Sequence, residues 1–184
     1  TEAPMRLLAL LPTLLLAAPA LAQGAPTDPR ALQAWDLERE RRLTLAMVDS
    51  MPERLLRYRP TPGVRDFAEQ IAHASGPIAG FSARAAGIQP PAPGDSAVFL
   101  NSRAALRAYV AASYDFALNA LRALPEEKYR GTATIAGQAF PVWKIFALAH
   151  EHSVWTRGEL VSYFRLNGMA PPAYDLFGMG GGER

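Results

Sequence analysis

The chain has 184 residues, 49% of them hydrophobic, which is enough for one domain to bury a self-sufficient core. Nineteen Lys and Arg stand against seventeen Asp and Glu, and no basic run is interleaved with aromatics, so nucleic acid is set aside as a partner. The absence of Cys excludes disulfides, thiolate nucleophiles, thiolate metal ligands and covalent haem attachment, leaving His, carboxylate, hydroxyl and water for any metal site.

In chain order, Met5-Arg6, the Leu/Ala-rich run Leu7 to Ala18 broken by Pro12, and Ala20-Leu21-Ala22 have the order of a signal peptide over residues 1–22, with cleavage before Gln23. The run falls short of the ~20 apolar residues that span a bilayer, and no Cys follows it to take a lipid. The expectation is a periplasmic or secreted protein without a stable membrane anchor. Thr1 to Pro4 precede the residue that reads as the initiator Met. The mature domain is expected over 23–176, followed by a flexible Gly-rich tail over 177–184.

The first helix is predicted from Asp28 or Ala31 to Ser50, where Met51-Pro52 ends it. Leu32, Trp35, Arg39, Leu43, Ala46, Met47 and Ser50 follow helical spacing, and Glu38, Glu40, Arg41 and Arg42 are expected mostly in water. After Pro60 and Pro62 the second helix starts near Val64, with Phe67, Ile71, Ala74, Ile78 and Phe81 on its apolar face, and stops at Gly87. A Pro-rich loop, Gln89 to Asp95, leads to a third helix capped by Asn101 or Ser102. Its face is Leu106, Val110, Ser113, Ala117, Leu121 and Leu124, and Pro125 closes it. Gly131 to Gln138 reads as an irregular or weakly β-like excursion, too short to found a sheet. The fourth helix opens at Pro141 and runs to Asn167, where Gly168 and Pro171-Pro172 stop it. Four amphipathic helices cannot hide their apolar faces singly, so the expected fold is an all-α, four-helix bundle in a single domain.

Two of the three histidines lie on the fourth helix, in His150-Glu151-His152, and the third is His73 on the second. Ile145, Ala149, His152, Thr156, Glu159 or Leu160, and Tyr163 share one stripe, which points His152 into the bundle, whereas His150 sits on another face with Phe146 and Arg157. His73 flanks the second helix's apolar face, where it can look across at His152. Pro77 has no N–H, so the His73 carbonyl four residues back loses its helical hydrogen bond beside that histidine.

Glu-Gln-Ile-Ala-His73 on the second helix, His152 followed by the run Arg157 to Pro172 on the fourth, and the connection Met51-Pro52-Glu53 with Tyr58 to Pro62 together resemble the DinB-like superfamily over nearly all of the mature chain. The resemblance implies a four-helix bundle holding a divalent metal through three histidines, one on the second helix and two spaced i, i+4 on the fourth before Arg-Gly-Gln. His73 and His152 match that pattern, but Thr156 stands at the second position of the fourth helix and Glu159 stands where Gln is common. A neutral hydroxyl is a poor zinc or nickel ligand beside imidazole.

Two readings stay open at this stage. In one, zinc, nickel or manganese is held by His73 and His152 with water, Glu69 or Glu159 completing the shell, and the protein is a metal-dependent transferase or hydrolase with Glu69 or Glu159 as base. In the other, His152 and Thr156 form a hydrogen-bonded pair and the bundle is a non-catalytic small-ligand-binding or dimeric interaction module, with Tyr163 among the pocket residues. Trp143 and Trp155 are candidates for a pocket wall, core or dimer contact, and Gly158 for a close helix approach. A haem pairing Met47 or Met51 with a His is a further alternative, and a homodimer is implied by the resemblance.

Overall fold

The computed structural model describes residues 25–175, so the expected signal peptide and Gly-rich tail lie outside the described residues. Six helices and one hairpin follow in order: α1 Pro29–Ser50, α2 Phe67–Ala86, α3 Ser96–Phe99, α4 Arg103–Ala123, α5 Glu126–Arg130, β1 Thr132–Ile135, β2 Gln138–Pro141 and α6 Val142–Leu166. The long helices α1, α2, α4 and α6 close a ring, with α2 packed on α4 and α6, and α1 on the same two neighbours. This is the expected all-α four-helix bundle.

The helix starts follow local chemistry. Asp28 caps α1 by accepting from the Ala31 N–H, and Ser102 caps α4 by accepting from the Ala105 N–H. Asp66 and Glu69 form a reciprocal capping box, which starts α2 at Phe67, three residues later than Val64. Such caps contribute about 1 kcal/mol each. The stretch before α2 is tied down as well, because the Phe67 N–H donates to the Tyr58 carbonyl and the Ala68 N–H to the Leu56 carbonyl. Gly87 ends α2 with φ +68°, a left-handed conformation that glycine adopts without Cβ strain.

The segment around Gly131–Gln138 is more regular than expected. Thr132–Ile135 pairs antiparallel with Gln138–Pro141, and Ala136 and Gly137, both at positive φ, make the two-residue turn. The hairpin leads directly into α6, whose first N–H, that of Val142, donates to the Gly131 carbonyl.

Phe67, Ile71, Ala74 and Ile78 of α2, and Leu106, Val110, Ala117 and Leu121 of α4, are fully buried as their spacing predicts. Each large apolar side chain so buried contributes about 1.5–3 kcal/mol. The phase of α1 differs from the expectation. Its most buried line is Leu37, Glu40, Thr44, Val48 and Met51, all at 0–1% exposure, whereas Leu32 and Ser50 are exposed. Glu40, expected in water, is therefore in the core, because its charge is met there.

Arg157 of α6 donates from Nε at 3.0 Å and Nη2 at 2.8 Å to Glu40 Oε2, while Arg39 Nη2 lies 3.5 Å and His150 Nε2 3.8 Å from Glu40 Oε1. Beside it, Tyr114 of α4 shares hydrogen bonds with Thr44 of α1 at 3.2 Å and Ser153 of α6 at 2.5 Å. Burial pushes the Tyr114 phenol up to about 12, against the pull of those two hydroxyls, so it keeps its proton. Burial alone would raise the Glu40 carboxyl, but the His150 imidazole and Arg157 guanidinium outweigh it and hold the group below its ordinary 4.5.

A group depressed in the folded state lends stability above its unfolded pKa and loses it as pH falls through the folded value. Urea unfolding should therefore show stability dropping on acidification below about pH 5, with a shallower drop in Glu40→Gln. At neutral pH Arg157→Met should cost up to about 3–5 kcal/mol by leaving the buried carboxylate only its longer contacts with Arg39 and His150, and Glu40→Leu combined with Arg157→Met should recover most of that loss.

Candidate functional site

The face of α6 turned toward α2 carries the expected histidine and the residues after it. α2 and α6 run antiparallel here, so His73 meets His152, and one turn away Gln70 meets Thr156 and Glu159. The two imidazoles pack edge to face with centroids 5.0 Å apart and planes at 83°.

Pro77 sets the chemistry of this pair. It lies inside α2 and offers no N–H to the His73 carbonyl, and His152 Nε2 fills the vacancy by donating to that oxygen at 3.1 Å. The hydrogen bond fixes Nε2 as the protonated nitrogen and leaves Nδ1 as the atom with a lone pair to offer. The anticipated pairing of His152 with Thr156 is replaced by this bond, because a backbone carbonyl without its helical donor is a stronger claimant than a hydroxyl. Thr156 is buried, and its carbonyl accepts from Gln70 Nε2 at 3.0 Å. Burial lowers the His73 pKa, helped by Arg65 and His152 and opposed by Glu159.

The candidate carboxylates are committed elsewhere. Glu69 completes the α2 capping box, accepting from the Asp66 N–H at 2.9 Å and pairing with Arg59 at 2.9 Å and Arg57 at 3.4 Å. The Asp66 N–H holds its carboxyl below the ordinary value, against a smaller opposing effect of burial and with Arg59 and Arg57 adding to the depression. Glu159 Oε2 accepts from Gln70 Nε2 at 2.7 Å. Tyr163, nearly buried, donates its hydroxyl to the Arg65 carbonyl at 2.6 Å, and burial, then Glu159 and Asp66, raise its pKa.

The donor set does not complete a metal shell. Two imidazoles at this separation can share an ion, but protein zinc sites use three or four protein ligands. Among the described residues no three His, Asp or Glu come together in a way that could hold an ion. Thr156 supplies no imidazole, and Glu69 faces the arginines of the preceding loop.

Beside the histidine pair an open cleft of about 1120 Å³ separates the loop at residues 59–65 from the second half of α6. Gln70, Glu159 and Tyr163 reach it, and so do Val64, Val161 and Leu166. Gly158 lines it too, and a Cβ built there meets nothing within 4 Å, so this glycine opens space rather than permitting a close helix approach. The close approach in the bundle is at Gly76, where a Cβ would come within 2.5 Å of the Tyr109 hydroxyl. Trp155 stands 77% exposed and Trp143 47%, and neither lines this cleft.

Gln70 and Glu40 are the polar residues that spacing undervalued. Gln70 falls between Phe67 and Ile71 on the inner face, which was the available signal. Glu40 had none, since its partner is 117 residues away.

The proton on His152 Nε2 should be directly visible. A ¹⁵N-edited imidazole spectrum is expected to show His152 as Nε2–H, and Pro77→Ala, which returns an N–H to the His73 carbonyl, should weaken that preference. An unprotonated Nε2 in the unmodified protein would contradict the assignment.

Residues 36–154 match the DinB superfamily, a span that includes His73 and His152 and ends just before Thr156. Among solved structures the chain is similar to the crystal structure of a DinB-like protein from Bacillus subtilis, with TM-score 0.63 and 19% identity over 77% of this chain and 96% of the other. At that identity the likeness speaks for the fold alone. No curated protein matches the chain.

Proposed function

The chain belongs to the DinB superfamily, and from that membership we propose that it is a small-molecule-binding bundle whose cleft operates without a resident divalent metal. The observation that carries this reading is Thr156, buried on α6 where the resemblance places the third imidazole. With the His152 Nε2 proton given to the His73 carbonyl, only Nδ1 of that ring keeps a lone pair, so the histidine pair offers at most two ligand atoms, and among the described residues no third His, Asp or Glu joins them. Glu159, held by the Gln70 amide, supports it as well. What remains is a cleft with mainly apolar walls and a few fixed polar groups, the usual composition of a small-molecule site.

A second reading, an ion shared by His73 and His152 with solvent completing its shell, is favoured by the 5.0 Å ring separation. Under it the protein would be a metal-dependent transferase or hydrolase, with the ion lowering the pKa of water or of a substrate thiol.

Elemental analysis separates the two. Purified protein is expected to carry less than about a tenth of an equivalent of zinc, nickel or manganese, and chelator should leave its thermal midpoint unchanged. A full equivalent that is lost in a folded His73→Ala variant would overturn the metal-free reading and establish the second. Thr156→His, which restores the third imidazole, is expected to gain nickel binding over the unmodified chain.

A further inference from the structure

We propose that the cleft takes an amphipathic organic anion, with its acidic group between Arg65 and Arg165 and its apolar body along Val64, Val161 and Leu166. This rests on the small-molecule reading above and adds the chemical class of the ligand.

Four charged side chains line the cleft: Arg59, Arg65, Arg165 and Glu159. Arg59 is occupied, since it donates to the Val64 carbonyl and pairs with Glu69 at 2.9 Å and Asp66 at 3.6 Å. Glu159 is occupied by the Gln70 amide at 2.7 Å. Arg65 and Arg165 have no ion pair and no side-chain hydrogen bond among the described residues, although both face the same space. The cleft therefore presents two unmatched guanidinium groups against one carboxylate that a neutral donor already engages.

The positions of the two arginines are set by the fold. Tyr163 ties the Arg65 backbone to α6 through its 2.6 Å hydrogen bond, and Arg165 follows two residues later on the same helix. Guanidinium groups bind carboxylate, sulfonate and phosphate through planar N–H forks, which gives strength that a lone ammonium lacks. The walls between them are apolar and partly uncovered, with Val64 40% and Leu166 62% exposed. Exposed aliphatic side chains beside unpaired cations in a concave site favour a ligand with an acidic end and an apolar body over a sugar, a cation or a bare inorganic ion.

Two fluorescent probes with the same aromatic body test this: 1-anilinonaphthalene-8-sulfonate, which is anionic, and N-phenyl-1-naphthylamine, which is neutral. Titrated into the folded protein, the sulfonate is expected to bind at least about ten-fold more tightly than the amine. Arg65→Gln combined with Arg165→Gln should erase that preference and leave the amine's affinity unchanged, and both arginines are exposed, so the fold should survive the change. Gly158→Leu, which fills open space in the cleft, should weaken both probes.

Equal binding of the two probes, with no effect of the arginine substitutions but a loss in Gly158→Leu, would overturn the anion assignment and leave the small-molecule reading standing. Probe binding indifferent to Gly158→Leu, or no binding of either probe, would overturn both.

Discussion

The ion pair between Glu40 and Arg157 joins α1 to α6 inside the bundle, and the orientation of α6 depends on it. A buried carboxylate tolerates few alternatives: if α6 turned by one residue, about 100°, the Arg157 guanidinium would leave and the charge would keep only the 3.5 Å contact of Arg39 on its own helix. The hydroxyl chain Thr44, Tyr114 and Ser153 adds a second tie through α4, with no formal charge at stake. With Arg157 fixed toward α1, His152 and Glu159 have only α2 to face. The cleft and the histidine pair are thus consequences of an interaction made on another side of the same helix.

On the α2 side, each polar group of α6 meets a partner that holds it in one state. His152 reaches a carbonyl, Glu159 an amide, and Tyr163 the backbone of Arg65. Satisfied polar groups at a helix interface specify a geometry, and their lone pairs and protons are then less free for other chemistry. The superfamily's bundle is retained here, and these polar groups serve the packing of α2 against α6. The groups left without such duties are at the cleft's edge, on the loop before α2 and the last turn of α6.

The helices were legible because their apolar residues recur at helical spacing and because Pro, Gly, Asp and Ser mark their ends. α4 followed its predicted face residue by residue, since its stripe is almost entirely apolar. α1 did not, because Glu40 and Thr44 occupy the centre of its buried line, and a hydrophobic pattern counts both as outward-facing. Only the arrival of Arg157 and Tyr114 from distant segments makes that line a core. The hairpin is hard to read in sequence for a related reason: its strands have four residues each, and none of their positions is buried. At the site, His73 facing His152 and the carbonyl released by Pro77 both followed from spacing and from the missing N–H of proline. The donor to that carbonyl did not, because until the helices are docked His152 has Thr156, one turn along its own helix, as an equally available partner.

Pro77 and His152 consequently form one heritable unit although they lie on different helices. With histidine opposite, the proline costs the helix little, since its unmatched carbonyl has a donor; opposite an aliphatic residue the same proline would leave that oxygen buried or dependent on water. The effect of replacing either residue thus depends on the identity of the other. Related sequences should show the two positions changing together, and a chain in which His152 turned its Nε2 to another partner would leave that carbonyl without a donor and favour loss of the proline.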